Sequence, residues 1–258
     1  MSIAYERNGS GDALVLIHGL GSSRRVWDAP LPLLTRERDV IAVDLPGFGE
    51  SPMLDGTPTV EALADAIEGM FRDLGLDRPA VGGNSLGGWI ALELARRGSV
   101  SSAVALSPAG FWNSAEMRMA TASLKVSRSA ATVAEPLIGS IAQSGAGRIA
   151  LASQLVARPA AVPPHELITA LEGLIHSDGF DPTRKALFGS TWSHREELPV
   201  PATIAWGEKD RLLLPRQARR AEAWIPGVRS VTLTGCGHVP CWDDPPQVAR
   251  VMLEGTSR

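Results

Sequence analysis

Ser85 stands in Gly83-Asn84-Ser85-Leu86-Gly87, a G-x-S-x-G pattern that suits a serine made nucleophilic. A hydroxyl attacks a carbonyl efficiently only when a base takes its proton and preorganised donors hold the oxyanion that forms. Gly83 and Gly87 leave space for a sharp, strained turn from strand to helix with Ser85 at its apex. Leu86 then opens the helix, so its N–H has no partner in the first turn and sits where the helix dipole favours negative charge. A Gly-rich turn with a capping serine would show the same five residues without any chemistry. The partners decide between the two.

A second oxyanion donor is expected from His18-Gly19-Leu20-Gly21, where the glycines allow the chain to turn and present the Leu20 N–H toward Ser85. His18 itself precedes the turn and reads as a hydrogen-bonding residue that shapes the loop. Of the other histidines, His165, His176 and His194 lie on polar segments and are expected to face solvent. His238, in Thr234-Gly-Cys-Gly-His-Val-Pro, follows the last strand candidate in a Gly-flanked loop able to reach over a sheet end. An imidazole there can withdraw the serine proton and return it to a leaving group. Asp210, just after another strand candidate, is the carboxylate placed to fix the imidazole tautomer. Glu208 and Asp243 are its rivals, and Asp243 reads better as the start of the final helix.

These residues need strand ends to stand on. Ala13–Ile17 reads as a buried strand, and Asp39–Val43, Ala80–Gly83, Val100–Leu106, Ala202–Trp206 and Ser230–Leu233 as further strands. Helical periods at Thr59–Leu74, Leu86–Arg97, Pro215–Trp224 and Pro246–Leu253 alternate with them. The pattern predicts an α/β fold with a mostly parallel central sheet flanked by helices. From residue 111 to 198 strand signals vanish, and a stretch so long is improbable as structureless loop. It is expected to be a helical cap inserted between core segments 1–110 and 199–258.

Composition narrows the class of function. The 258 residues carry a net charge of −3, which offers no global electrostatic case for nucleic acid. No apolar run approaches the roughly 20 residues of a membrane span, and the opening residues lack a signal peptide's basic start. The expected partner is a small molecule, with no membrane and no nucleic acid, and the expected location is cytoplasmic. Cys236 and Cys241 are expected to be reduced, apolar filler; with His238 they make three potential ligands and no second cluster, so no metal is expected.

His18-Gly-Leu-Gly, Asp44-Leu-Pro-Gly-Phe-Gly-Glu-Ser51, Gly83-Asn-Ser-Leu-Gly-Gly88, Trp206-Gly-Glu-Lys-Asp210 and Gly237-His-Val-Pro together resemble the α/β-hydrolase superfamily. Within it the chain looks most like small bacterial carboxylesterases, enol-lactonases and meta-cleavage-product C–C hydrolases. The resemblance implies a hydrolase that needs no cofactor, with Ser85 as nucleophile, Asp210 as acid and His238 as base, in the chain order this fold uses. Relatives that open epoxides or remove halides use an aspartate nucleophile, where this chain has Ser85. The C–C hydrolases usually carry an aromatic residue after the base, where this chain has Val239. Ester hydrolysis is therefore the leading expectation, ahead of C–C bond or lactone cleavage on the same triad and of a slow-turnover ligand receptor.

The cap carries hints about substrate. From Phe111 to Pro164 there are five basic residues (Arg118, Lys125, Arg128, Arg148, Arg158) against two acidic ones. One arginine holding a substrate carboxylate is conceivable; a solvated helix face is the simpler expectation. Leu124, Val126, Val133, Leu137, Ile138 and Ile141 point to an apolar pocket. Trp112, Leu137, Trp192 and Val239 are the expected lining residues.

Overall fold

The computed structural model describes residues 2–257. Seven strands, β1 (Tyr5–Gly9), β2 (Ala13–Ile17), β3 (Asp39–Val43), β4 (Ala80–Asn84), β5 (Ala103–Leu106), β6 (Ala202–Gly207) and β7 (Arg229–Leu233), form one sheet in the order β1-β3-β2-β4-β5-β6-β7. Only β1 runs antiparallel, against β3; every other pairing is parallel. Parallel strands need crossovers that cover both faces of the sheet, which is why the inner strands are continuously apolar. Alternation sorts their side chains. Val15, Ile17 and Val81 face a core shared with α2 (Val60–Asp73) and α3 (Leu86–Arg96), while Leu14, Leu16 and Val104 face one shared with α10 (Pro245–Gly255). The fold is the α/β layered sheet expected.

Strand β1 was not anticipated. Tyr5-Glu-Arg-Asn-Gly lacks alternating apolar residues and is largely exposed, so the backbone ladder to β3 defines it rather than any buried face.

Between β5 and β6 lie α4 (Ser114–Gln143), α5 (Gly145–Ala152), α6 (Pro164–His176) and α7 (Phe180–Leu187), the helical insertion. A capping box starts α4: the Asn113 side chain accepts the Glu116 N–H, and the Glu116 carboxylate accepts the Asn113 N–H. The basic excess of this region is largely spent on backbone. Arg128 donates to the carbonyls of Leu174, Ile175 and Ser177 and pairs with Asp181. Arg148 donates to the carbonyls of Ala142, Gln143 and Ala160. Both guanidiniums thereby satisfy carbonyls at helix C-termini, where cations are favoured. Among the described residues no helix is long and apolar enough to cross a membrane.

Candidate active site

The winding of the sheet reverses at β2 and β4, which leaves a crevice beyond their carboxyl ends where α/β sheets bind ligands. Ser85 occupies that crevice, between β4 and α3, at φ 58° and ψ −114°. A non-glycine residue rarely holds this conformation, and here the backbone is pinned from both sides. The Ser85 N–H donates to Leu106 O at 2.9 Å, and the Ser85 carbonyl accepts from Trp89 N and Ala109 N. Gly19 lies so close that a β-carbon there would sit 3.1 Å from the Ser85 β-carbon. The N–H groups of Leu20 and Leu86 donate to no protein group among the described residues.

His238 and Asp210 come together in the structure. His238 Nδ1 and Asp210 Oδ2 are 2.8 Å apart, and both side chains are buried. The other carboxylate oxygen accepts the N–H groups of Leu212 and Leu213 at 2.9 and 2.8 Å, so the turn after β6 locks the aspartate in place. A carboxylate accepts, so the ring proton sits on Nδ1 and the Nε2 lone pair is left free. Ser85 and His238 line the same cavity. No direct hydrogen bond joins the two side chains; such bonds commonly tighten only in a complex.

Two supporting residues escaped the sequence reading. Asn84 Nδ2 donates to His238 O at 2.9 Å and to Leu106 O at 3.1 Å, tying the loop of the imidazole to the end of β5. Asp243 does not start the final helix; Asp244 does, accepting Gln247 N. Asp243 instead accepts three backbone N–H groups, from Ala157, Arg158 and Gly237, at 2.8 to 3.0 Å. Residues 157 and 158 belong to the insertion and Gly237 to the histidine loop, so one carboxylate joins the two. Arg158 adds a bond to Asp243 O. Asp243→Ala leaves three amides without an acceptor. The expected result is a stability loss of about 2 kcal/mol on chemical denaturation, with a kcat lowered about tenfold. A variant matching wild type in both would remove Asp243 from this role. Glu208, the other rival, is exposed and accepts Gly235 N.

His18 shapes the loop, as expected. Its Nδ1–H donates to Gly19 O at 2.7 Å and its Nε2 accepts Leu45 N at 2.9 Å, which requires a neutral ring. Burial holds its pKa below the ordinary 6.5. The unfolded chain therefore binds a proton that the folded chain refuses. The contribution is complete above the unfolded value and is lost as pH falls below it, with a slope approaching about 1.4 kcal/mol per pH unit. Urea titrations between pH 7.5 and 5 are expected to show this steepening in wild type and a shallower slope in His18→Gln. Equal slopes would refute the assignment.

The cavity above Ser85 has a volume of about 350 Å³. The core supplies Leu20, Val26, Val239 and Trp242 to its wall; the cap supplies Leu124, Leu155, Leu171 and a row of alanines. No charged side chain lines it, so the cap arginines hold no substrate carboxylate there. Val239 lines it as expected. Trp112 reaches only a small recess on the other side of Ser85, with its indole N–H donated to Ser190 O. Two expected lining residues do not belong. Leu137 is 60% exposed, on the outer face of α4 with Met119 and Val133, whereas Val126 reaches the edge of the cavity. Trp192 is buried away from the cavity and stacks on Phe111 with ring centroids 5.8 Å apart. Side-chain type alone could not tell which face of each segment turns inward.

Cys236 and Cys241 are buried thiols; burial pushes Cys236 up to about 12 and raises Cys241 as well. Both stay protonated at neutral pH, which suits packing rather than reaction. Among the described residues no group of three or more His, Cys, Asp or Glu is placed to hold a metal ion.

The comparisons agree with this architecture. An uncharacterised protein of Mycobacterium tuberculosis is 29% identical over 94% of this chain and 74% of its own length. A thermophilic esterase of Thermogutta terrifontis superposes with a TM-score of 0.75 at 24% identity, over 98% of this chain and 92% of that one. The enol-lactonase of Burkholderia xenovorans LB400 gives a TM-score of 0.73 at 21% identity, over 98% and 95%. Both structural likenesses speak to the fold. The model of the alpha/beta hydrolase family matches residues 14–251, nearly the whole chain, and the protein belongs to that family.

Proposed function

We propose that this protein is a serine hydrolase of neutral carboxylic esters, with Ser85 as nucleophile, His238 as general base and acid, and Asp210 as the residue that orients the imidazole. One observation carries the reading: an imidazole anchored by a buried carboxylate shares an uncharged cavity with a serine held at φ 58°. The Ser85 oxygen adds to the ester carbonyl as His238 Nε2 takes its proton. The N–H groups of Leu20 and Leu86 receive the oxyanion, each such donor contributing about 3 kcal/mol by precedent. Collapse breaks the bond to the alkoxy group, which leaves with the proton from His238. Water then adds to the acyl-serine, giving its proton to the imidazole, and the acid departs as Ser85 regains its hydrogen. The chemistry draws on no cofactor.

The uncharged cavity wall supports this reading over C–C cleavage of dienone acids in aromatic degradation. Dienone acids bring a carboxylate, and burying it against a wall without a cation would be costly. A fluorophosphonate probe tests the assignment. The expected result is one label per chain, on the peptide containing Ser85, with p-nitrophenyl ester hydrolysis lost in proportion. Labelling elsewhere, or full activity after complete labelling, would sink it.

A further inference from the structure

Ser85 stands between two spaces of very different size. On one side is the cavity of about 350 Å³; on the other is a recess of about 20 Å³. Leu20, Ser85, Leu124 and Leu212 line both, so the reacting serine is part of the partition. The first space has room for on the order of ten methylene-sized groups and the second for about one. Beyond the shared residues and Leu86, the walls of the recess are Ala109, Trp112, Ala120, Leu187 and Leu213, with Thr121. The Thr121 hydroxyl donates to Met117 O at 2.8 Å and the Trp112 indole N–H to Ser190 O, so the donors left free in the recess are the serine and the two amides of Leu20 and Leu86. A methyl-sized group fits it, whereas a charged one would be buried there without a counter-ion. In the larger cavity the cap's polar groups are Ser127 and Gln154, which bond to one another at 3.2 Å.

Resting on the esterase reading above, we propose that the substrate is a strongly unsymmetrical neutral ester: one substituent of methyl size in the recess, and a long apolar chain in the large cavity. The two chemical sources are acetates of long alcohols and methyl esters of long fatty acids. Either satisfies the shape, since each sets one short and one long arm on the carboxyl group.

Three isomers of equal carbon count, octyl acetate, methyl nonanoate and pentyl pentanoate, test this without confounding by overall hydrophobicity. Hydrolysis is followed by pH-stat on the full chain. The expected result is a kcat/KM for octyl acetate or methyl nonanoate at least about tenfold above that for pentyl pentanoate, because a misfit methylene in a closed apolar pocket discriminates by at least that factor. Which of the two leads identifies the source. Leu187→Ala opens the recess and is expected to narrow the ratio at least about threefold, while Ala134→Phe shortens the large cavity and is expected to lower the rate on octyl acetate relative to ethyl acetate. Pentyl pentanoate equal to or faster than both isomers overturns the proposal. So does a ratio insensitive to Leu187→Ala, which would make the recess a pocket for the oxyanion alone. Turnover of p-nitrophenyl acetate through a phosphonate-sensitive Ser85, with none of the three isomers hydrolysed, also overturns it and leaves the esterase reading standing. Absence of any Ser85-dependent turnover would instead remove the esterase reading itself.

Discussion

Ser85→Ala is expected to lower kcat for p-nitrophenyl ester hydrolysis by about 10⁴-fold or more, with the fold intact. The alanine removes one oxygen and keeps the β-carbon, so the strained turn and its bonds to Leu106, Trp89 and Ala109 are unchanged. Thermal unfolding should shift little. His238→Ala should give a loss of similar size, and the double variant should fall no further, because nucleophile and base act as one unit. The residual rate above water would come from the Leu20 and Leu86 donors and from binding. A Ser85→Ala protein with wild-type kcat would place the chemistry elsewhere; additive losses in the double variant would break the link between serine and imidazole.

Gly83→Ala is expected to be among the more damaging single methyls in the chain. A β-carbon at position 83 would lie 2.1 Å from Gly87 O and 2.7 Å from Gly88 N, both backbone atoms of the first turn of α3. Those atoms cannot rotate away, so the strand and helix must separate. Overpacking of this kind costs about 3 kcal/mol or more, and here it also moves Ser85. The same methyl at Gly139 in α4 or Gly173 in α6 meets open space. There it should stabilise by up to about 1 kcal/mol through helix propensity. Denaturant titrations of the three variants check the contrast, and a Gly83→Ala cost below about 1 kcal/mol would mean that strand and helix cross less tightly than described.

Much of the site could be read in advance because its residue types are chemically distinctive and because each follows a strand. Parallel strands announce themselves as short runs of apolar and β-branched residues, and Ser85, Asp210 and His238 fall just beyond β4, β6 and β7. The supporting contacts were invisible for a physical reason. Asn84 reaches a carbonyl 154 residues away, and Asp243 collects an amide 86 residues away. Backbone groups carry no signature of residue type, so nothing in the sequence marks which side chain will find them. Strand β1 was missed because its polar residues earn no burial, and Leu137 and Trp192 were misplaced because apolar character does not specify an inward face. The cap charges misled less: guanidiniums near helix ends have carbonyls to satisfy before any ligand.

The Asp243 clamp has a consequence for how the roof over the crevice moves. Swinging the 157–158 segment outward strips that carboxylate of two donors and loosens its remaining hold on Gly237, the residue next to the imidazole. Admission of bulk and alignment of the proton carrier are thus yoked. On the proposed mechanism, wide excursions would disarm the centre and confine acyl transfer to the moments when the roof is down.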